Sequence, residues 1–261
     1  MEEALRGGYL SAPVRRGDTV VRPTGPWSPG VHRLLGALVE RGFPSAPRLL
    51  SVDATTETLT FVPGQAGTYP VSAVQRSDAA LVSVARTLRS LHDTTSGLDL
   101  AGEWQARTVL PVEVDCFGHN DLGPYNVVFD GSEVVAFIDW DLAGPSNRVW
   151  DLCYAAHRFA PLSAPRSTVA FGWDPVPDQG VRLRTFLHAY GRPVDVGYLL
   201  DLLVVRLSAL AANIELQVSR GDPAYERHRD ERHGDGYRED VGWILGHRAE
   251  WVVQAAGRPA V

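Results

Sequence analysis

Gly118-His119-Asn120-Asp121-Leu122-Gly123-Pro124-Tyr125-Asn126 is followed by Ile138-Asp139-Trp140-Asp141 and then by Asp151-Leu152. Between the first two segments, residues 126–129 and 134–138 read as strands. Asp130-Gly131 reads as the hairpin turn joining them, because both residues tolerate positive φ. Residues 112–117 read as a further strand leading into the stretch. The hairpin folds the chain back, so that Ile138-Asp139 ends near where Asn126 begins. Asn126 and Asp139 are thereby delivered to one rim.

This pattern suits phosphoryl transfer from a nucleoside triphosphate. That reaction asks for a carboxylate to orient the attacking hydroxyl and accept its proton, and for oxygen ligands that hold Mg²⁺ on the phosphates. Mg²⁺ prefers octahedral oxygen coordination, which makes Asp and Asn the expected donors. His-x-Asp-x-x-x-x-Asn supplies a base and one ligand from a single loop. Singly, an Asp at a strand end is often only a cap, and a lone His is often structural. It is the combination of His119, Asp121, Asn126, the hairpin and Asp139 that selects this chemistry.

Toward the N-terminus, residues 5–22 read as short strands broken by turns at Gly7-Gly8, residues 13–16 and Gly17-Asp18, a small antiparallel meander. Residues 23–29 form a Pro/Gly-rich loop. Residues 31–41 carry apolar side chains at 31, 34, 35, 38 and 39, an amphipathic helix ending at Gly42. Residues 49–52 and 58–62 read as two more strands. Pro63-Gly64-Gln65-Ala66-Gly67 reads as a hinge, dividing the chain into lobes of residues 1–64 and 65–261. A helix capped by Ser77 follows, apolar at 80, 81, 84, 85, 88 and 91. From Trp150 onward the chain reads as largely helical. Residues 199–216 suit a buried helix. Residues 222–250, with interleaved Asp, Glu and Arg, suit a peripheral, ion-paired one.

The 261 residues carry 31 acids against 25 bases, a net charge of −6. This argues against a nucleic-acid footprint, which calls for a basic patch. No apolar run reaches the eighteen or so residues of a membrane span. The opening MEEALRGGYL, with two acids, is unlike a secretory signal, and two cysteines suggest no disulfide framework. A cytoplasmic protein is expected. All 25 bases are arginine, so any phosphate-binding cation here is an Arg. The acidic balance favours a cationic partner electrostatically.

The segment GHNDLGPYNVVF…AFIDWDLAGPSNRVWDL resembles the catalytic core of the aminoglycoside phosphotransferase and choline kinase-like family, relatives of the protein kinases. The resemblance is dense over residues 117–155 and extends more weakly through RGDTVVRP, LTFVPG and LRSLHD. It implies an α+β, two-lobed protein-kinase-like fold with ATP or GTP in the cleft, Mg²⁺, and a small-molecule hydroxyl as acceptor, a metabolite or an antibiotic. It implies Asp121 as catalytic base and Asn126 and Asp139 as Mg²⁺ ligands. His119 would organise the loop, and Asp151 would brace it by accepting hydrogen bonds. Asp141 has no fixed role by resemblance and reads as a solvated acid.

Arg22 occupies the place of the family's phosphate-pairing lysine, and Gly7-Gly8 is the nearest candidate for a Gly-rich phosphate loop. At the helix position of the glutamate that holds the lysine, this chain offers Val31 or His32. The expectation is therefore an Arg22 without a carboxylate partner, positioned only when nucleotide arrives. The chain is also similar to the branch that includes trifolitoxin immunity proteins, with an Arg-Pro after the third strand. That branch implies an alternative, a binding or immunity protein with little or no turnover. A kinase acting on a peptide side chain would use the same machinery. Acceptor identity, ATP against GTP and oligomeric state stay open, and a monomer is compatible with all three readings.

Overall fold

Val14–Arg16 and Thr19–Pro23 pair antiparallel around Gly17-Asp18, the meander expected from the turn residues. The computed structural model of the chain describes residues 2–5 and 13–257, so Gly7-Gly8 lies outside the described residues. Strands β1 (Glu2–Ala4), β2 (Val14–Arg16), β3 (Thr19–Pro23), β4 (Leu49–Val52) and β5 (Thr56–Thr60) form an antiparallel sheet ordered β1-β2-β3-β5-β4. The last strand starts at Thr56 rather than at residue 58, because a tight turn, with Asp53 N–H on the Thr56 carbonyl at 2.8 Å, begins the pairing earlier. Its register places Arg22 directly opposite Glu57.

Helix α1 (Ser28–Glu40) covers this sheet. Its start at Ser28 shortens the expected loop, since Pro29 in the first turn supplies a helical φ and forfeits an N–H that has no partner there. Val31, Leu34, Leu35 and Leu38 are buried as the periodicity requires, whereas Val39, counted in the same stripe, faces solvent.

β6 (Gln65–Ala66) pairs with β8 (Val127–Asp130), which pairs with β9 (Glu133–Phe137). The hairpin is thus present, with its turn at Gly131-Ser132 and Asp130 still in the strand. Gly131 takes φ +56°, where a side chain would be strained. β7 (Cys116–Gly118) pairs with β10 (Gly144–Ser146). The expected strand over 112–117 is confined to this short segment, because its partner offers only three residues.

Helix α2 (Asp78–Thr95) is capped by Ser77, which accepts from Ala80 N–H at 3.2 Å, and all six of its expected apolar positions are buried. α3 (Arg148–Phe159), α4 (Pro165–Ala170), α5 (Gln179–Tyr190), α6 (Val196–Ser219), α7 (Glu226–Asp230) and α8 (His233–Ala256) complete the larger helical part. α6 includes the expected helix over 199–216, buried on one face through Leu199, Leu203, Leu207 and Ile214 but exposed on the other at Val205 and Leu216. The region 222–250 departs from expectation. It is broken at Arg232, which takes φ +55°, and α8 packs against α6 and α5 with Ile244 and Trp251 buried. Asp240 on α8 is buried too, accepting from Ala164 N–H at 2.9 Å and lying 3.0 Å from His157 Nε2. The outer face of this region is ion-paired as expected, with Arg227 on Glu231, Arg232 on Asp235 and Arg238 on Glu215, but a few apolar positions and one inward carboxylate fix its inner face to the core. Among the described residues, no helix is long and apolar enough to cross a membrane.

Candidate active site

The Asp121 loop begins where β7 ends, and its path depends on Gly118. A Cβ there would lie 2.8 Å from the Asp151 carboxylate and 2.9 Å from the Ser146 side chain. The missing side chain lets the loop backbone approach Asp151, which accepts N–H bonds from His119 at 2.9 Å and Asn120 at 2.8 Å. His92, from α2, lies 3.1 Å from the same carboxylate through Nε2, and its Nδ1 meets the Tyr190 hydroxyl at 2.8 Å. Burial alone would raise the Asp151 carboxyl, but the His92 hydrogen bond and the charges of His92, Arg206 and His119 hold it down at about 2. The sequence segment LRSLHD contains His92, yet nothing in its spacing announces a partner 59 residues away.

Asn120 adopts φ +62° and Asp139 φ +59°, left-handed conformations unusual outside glycine and concentrated at functional sites. Arg206 on α6 secures the first by donating to the Asn120 carbonyl, and it also donates to the Trp150 carbonyl, each at 2.5 Å. The His119 ring donates Nε2–H to the Ile138 carbonyl at 2.9 Å and packs 5.1 Å from the Trp140 ring. It therefore joins the Asp121 loop to the segment carrying Asp139.

Asp121 accepts from the Tyr125 hydroxyl at 3.1 Å, and Asn126 Nδ2 donates to the Asp121 carbonyl at 2.9 Å. Ile138 N–H donates to the Asn126 carbonyl at 2.9 Å, so Asp139 follows directly beside Asn126. The hairpin thus brings both predicted metal ligands together. With Asn126 Nδ2 engaged, its Oδ1 lone pairs are available to a metal. Asp139 accepts from Arg22 through Oδ1 at 3.2 Å, which leaves Oδ2 for a metal. No group of three or more His, Cys, Asp and Glu among the described residues forms a metal cage. Two oxygen side chains fit Mg²⁺, which usually keeps several waters and phosphate oxygens as its other ligands.

The expectation of an Arg22 without a carboxylate partner is overturned. Arg22 Nε donates to Glu57 at 2.5 Å, while its other nitrogens lie 3.2 Å from Asp139 and 2.9 Å from Asp141. The carboxylate comes from the neighbouring strand β5, where cross-strand register sets Glu57 opposite Arg22. His32, at the helix position of the family's glutamate, is hydrogen-bonded through Nε2 to the second Glu57 oxygen instead. Asp141 is likewise not a solvated surface acid. Burial pushes its carboxyl up against the opposing effect of Arg22. For Arg22, burial opposes the charge, but Asp141, Glu57 and Asp139 raise it above the ordinary arginine value. The alternation of Thr56-Glu57-Thr58 beside Thr19-Val20-Val21-Arg22 was the signal available in the sequence.

On its other side Asp121 borders a cavity of about 650 Å³, walled by Trp104, Trp150 and Tyr154 and carrying Arg107 and Arg206. Asp121 is the one carboxylate in its lining among the described residues. The acidic balance of the chain is therefore not repeated here, because the nearest side chains, not the sum, set a local potential. Arg107 Nη1 stands 3.9 Å from Asp121 Oδ2. Burial works against the Arg107 charge and Asp121 for it, leaving it above the usual arginine value. Sequence reasoning missed Arg107, which sits on a loop outside every motif.

Known proteins share this architecture. The sequence model of the phosphotransferase enzyme family (APH) matches residues 98–183. The trifolitoxin immunity protein of Rhizobium leguminosarum bv. trifolii is 31% identical over 198 residues, spanning 73% of this chain and 74% of that protein. A spectinomycin phosphotransferase solved with ADP and spectinomycin superposes with a TM-score of 0.63 at 12% identity, over 97% of this chain and 93% of its own. The choline kinase LicA of Streptococcus pneumoniae gives a TM-score of 0.59 at 15% identity, over 94% of both chains. The two structural likenesses are likenesses of fold, a protein-kinase-like α+β architecture. With the family model, the relative above 30% identity and the fold in agreement, the chain belongs to the phosphotransferase enzyme family.

Proposed function

We propose that the protein is an O-phosphotransferase that moves the γ-phosphoryl group of ATP or GTP, with Mg²⁺, to a hydroxyl of a small molecule. The observation that carries this reading is Asp121, open to a cavity on one side and flanked by Asn126 and Asp139 on the other. Residues 1–64 serve as the nucleotide-binding lobe and 65–261 as the catalytic and substrate-binding lobe, acting in the cytoplasm. The ADP in the spectinomycin phosphotransferase supports a nucleotide in the corresponding cleft.

Asp121 orients the acceptor hydroxyl and takes its proton as the acceptor oxygen bonds to the γ-phosphorus. The bond from that phosphorus to the β–γ bridging oxygen breaks, and nucleoside diphosphate leaves. Asn126 and Asp139 would hold Mg²⁺, which supplies charge neutralisation on the phosphates. Arg22 retains N–H groups beyond its three ion pairs, and Glu57 holds it toward the phosphates before nucleotide binds. His119 and Asp151 keep the loop in its left-handed turn. Gly7-Gly8 is retained as the phosphate-loop candidate on sequence grounds.

The 31% identity to a trifolitoxin immunity protein favours a second reading, a kinase-fold binder or immunity protein with little turnover, or a kinase acting on a peptide side chain. A pure binder has no physical need for Asp121, Asn126 and Asp139 in this arrangement, which keeps the enzyme reading first. Nucleotide consumption decides between them, assayed against aminoglycosides, amino alcohols, hydroxy acids and Ser/Thr peptides, with Asp121→Asn as the blank. Acceptor-dependent release of nucleoside diphosphate, absent in Asp121→Asn, supports transfer. Nucleotide binding without release above that blank across the panel supports the binder.

A further inference from the structure

The acceptor side of Asp121 holds an arginine with its donors unspent. Arg206 is committed to the Trp150 and Asn120 carbonyls. Arg107 has no comparable commitment. Its side chain is 27% exposed, and its nearest carboxylate oxygen, on Asp121, lies 3.9 Å away, beyond hydrogen-bond reach. A guanidinium carries five N–H donors, and those of Arg107 are free to take an acceptor that enters the cavity.

A second guanidinium stands behind the same wall. Arg158 lies over the rings of Phe171 at 4.9 Å, Tyr69 at 5.2 Å, Tyr125 at 5.7 Å and Tyr154 at 5.9 Å. Its Nε is buried without a hydrogen-bond partner, and no carboxylate pairs with it among the described residues. Tyr154 belongs to both settings, under Arg158 and in the cavity wall. In the lining of the cavity itself, Arg107 and Arg206 thus stand against one carboxylate, Asp121. A cationic group entering here would meet like charge, whereas an anion would meet a planar fork of donors matched to a carboxylate.

We propose that the acceptor is a hydroxy acid: a molecule whose hydroxyl meets Asp121 and whose carboxylate is bound by Arg107, on an apolar body lying against Trp104, Trp150 and Tyr154. This rests on the O-phosphotransferase reading for the use of the site, but the anion subsite is testable by binding alone. The aromatic wall and the cavity of about 650 Å³ leave ample room for a single ring with a short side chain.

Three matched probes isolate the charge: 3-phenyllactate, its neutral amide, and the cationic phenylalaninol. Their affinities for the full chain are measured by calorimetry in the wild type, Arg107→Met and Arg107→Lys, with melting curves to monitor folding. Phenyllactate should bind at least about tenfold more tightly than phenylalaninol, the amide lying between. Arg107→Met should erase that margin, and Arg107→Lys should keep part of it. The proposal is overturned if phenyllactate shows no saturable binding, if phenylalaninol binds as well, or if Arg107→Met keeps the margin. Should Arg107→Met fail to fold, the wild-type ranking and Arg107→Lys decide. Nucleotide consumption read separately distinguishes the two ideas. Phenyllactate binding without turnover on any acceptor counts against phosphotransfer alone, whereas turnover on a cationic aminoglycoside that survives in Arg107→Met upholds phosphotransfer and sinks the hydroxy acid.

Discussion

The loop that carries Asp121 and the cluster around Arg22 both bury charged groups, but their partners come from different distances along the chain. Asp121 and the groups on it, Tyr125 and Asn126, lie within five residues of one another, and the bracing Asp151 is only thirty residues further on. Arg22 instead gathers Glu57, Asp139 and Asp141 from strands and turns up to 119 residues away, as the numbering shows. The first arrangement takes its core from a hairpin and the start of α3, and needs only Arg206 and His92 from further away to secure it. The second exists only when the N-terminal sheet is seated against the catalytic hairpin. Arg22 is consequently a tether between the two sheets as well as a phosphate-binding candidate.

The largest expected effect breaks the local arrangement at its chemical end. Asp121→Asn should lower phosphoryl transfer by ~10²–10⁴ while nucleotide still binds, as calorimetry and steady-state kinetics together would record. Near-wild-type turnover in that variant would take Asp121 out of the mechanism.

Arg22→Ala tests the long-range arrangement. It leaves Glu57, which is 1% exposed, with His32 alone, and removing one partner of a buried ion pair typically costs about 3–5 kcal/mol. Denaturant unfolding should show a loss of that order, accompanied by a higher nucleotide KM. A rise in KM with unchanged stability would mean that Arg22 serves the phosphates and does not tie the sheets. Glu57→Gln sharpens the point, since it should raise KM through Arg22 without touching nucleotide itself.

Asp151 gives the loop a pH signature. Its carboxyl is depressed to about 2 in the folded chain, against roughly 3.9 when unfolded. A depressed value means stability that is fully present above the unfolded pKa and is lost as pH falls through the folded one. The contribution is on the order of 2 kcal/mol. The stability margin of the wild type over Asp151→Asn should therefore be constant above about pH 5 and shrink toward pH 2. A margin independent of pH would show that Asp151 acts through shape rather than charge.

Asp139 belongs to both arrangements, and the effect expected there is the smallest. Asp139→Ala should weaken the Mg²⁺ dependence of nucleotide affinity by about tenfold, one charged contact among several that phosphates and water also provide. Titrations with and without Mg²⁺ that give equal affinities in the wild type would remove Asn126 and Asp139 as ligands.

What the sequence determined by itself was whatever is encoded within a few dozen contiguous residues. The Asp121 loop, the hairpin that seats Asp139 beside Asn126, the Ser77-capped helix and the existence of α6 were all legible, although α6 buries only one face and leaves Val205 and Leu216 exposed. Each depends on turn residues, caps or a 3.6-residue period that neighbours along the chain can set. Tertiary structure alone decided the partners that come from afar. Glu57 supplies the carboxylate sought on α1, because antiparallel register, not helix spacing, places it against Arg22. Asp141 is drawn out of solvent by that same arginine, and His92 reaches Asp151 across two helices. The inward turn of Asp240 fixes α8 to the core despite its charge. Arg107, on a loop with no pattern of its own, acquires meaning only from standing beside Asp121. Coulombic and hydrogen-bond energies fall with separation in space, so their consequences follow distance in space and not distance in sequence.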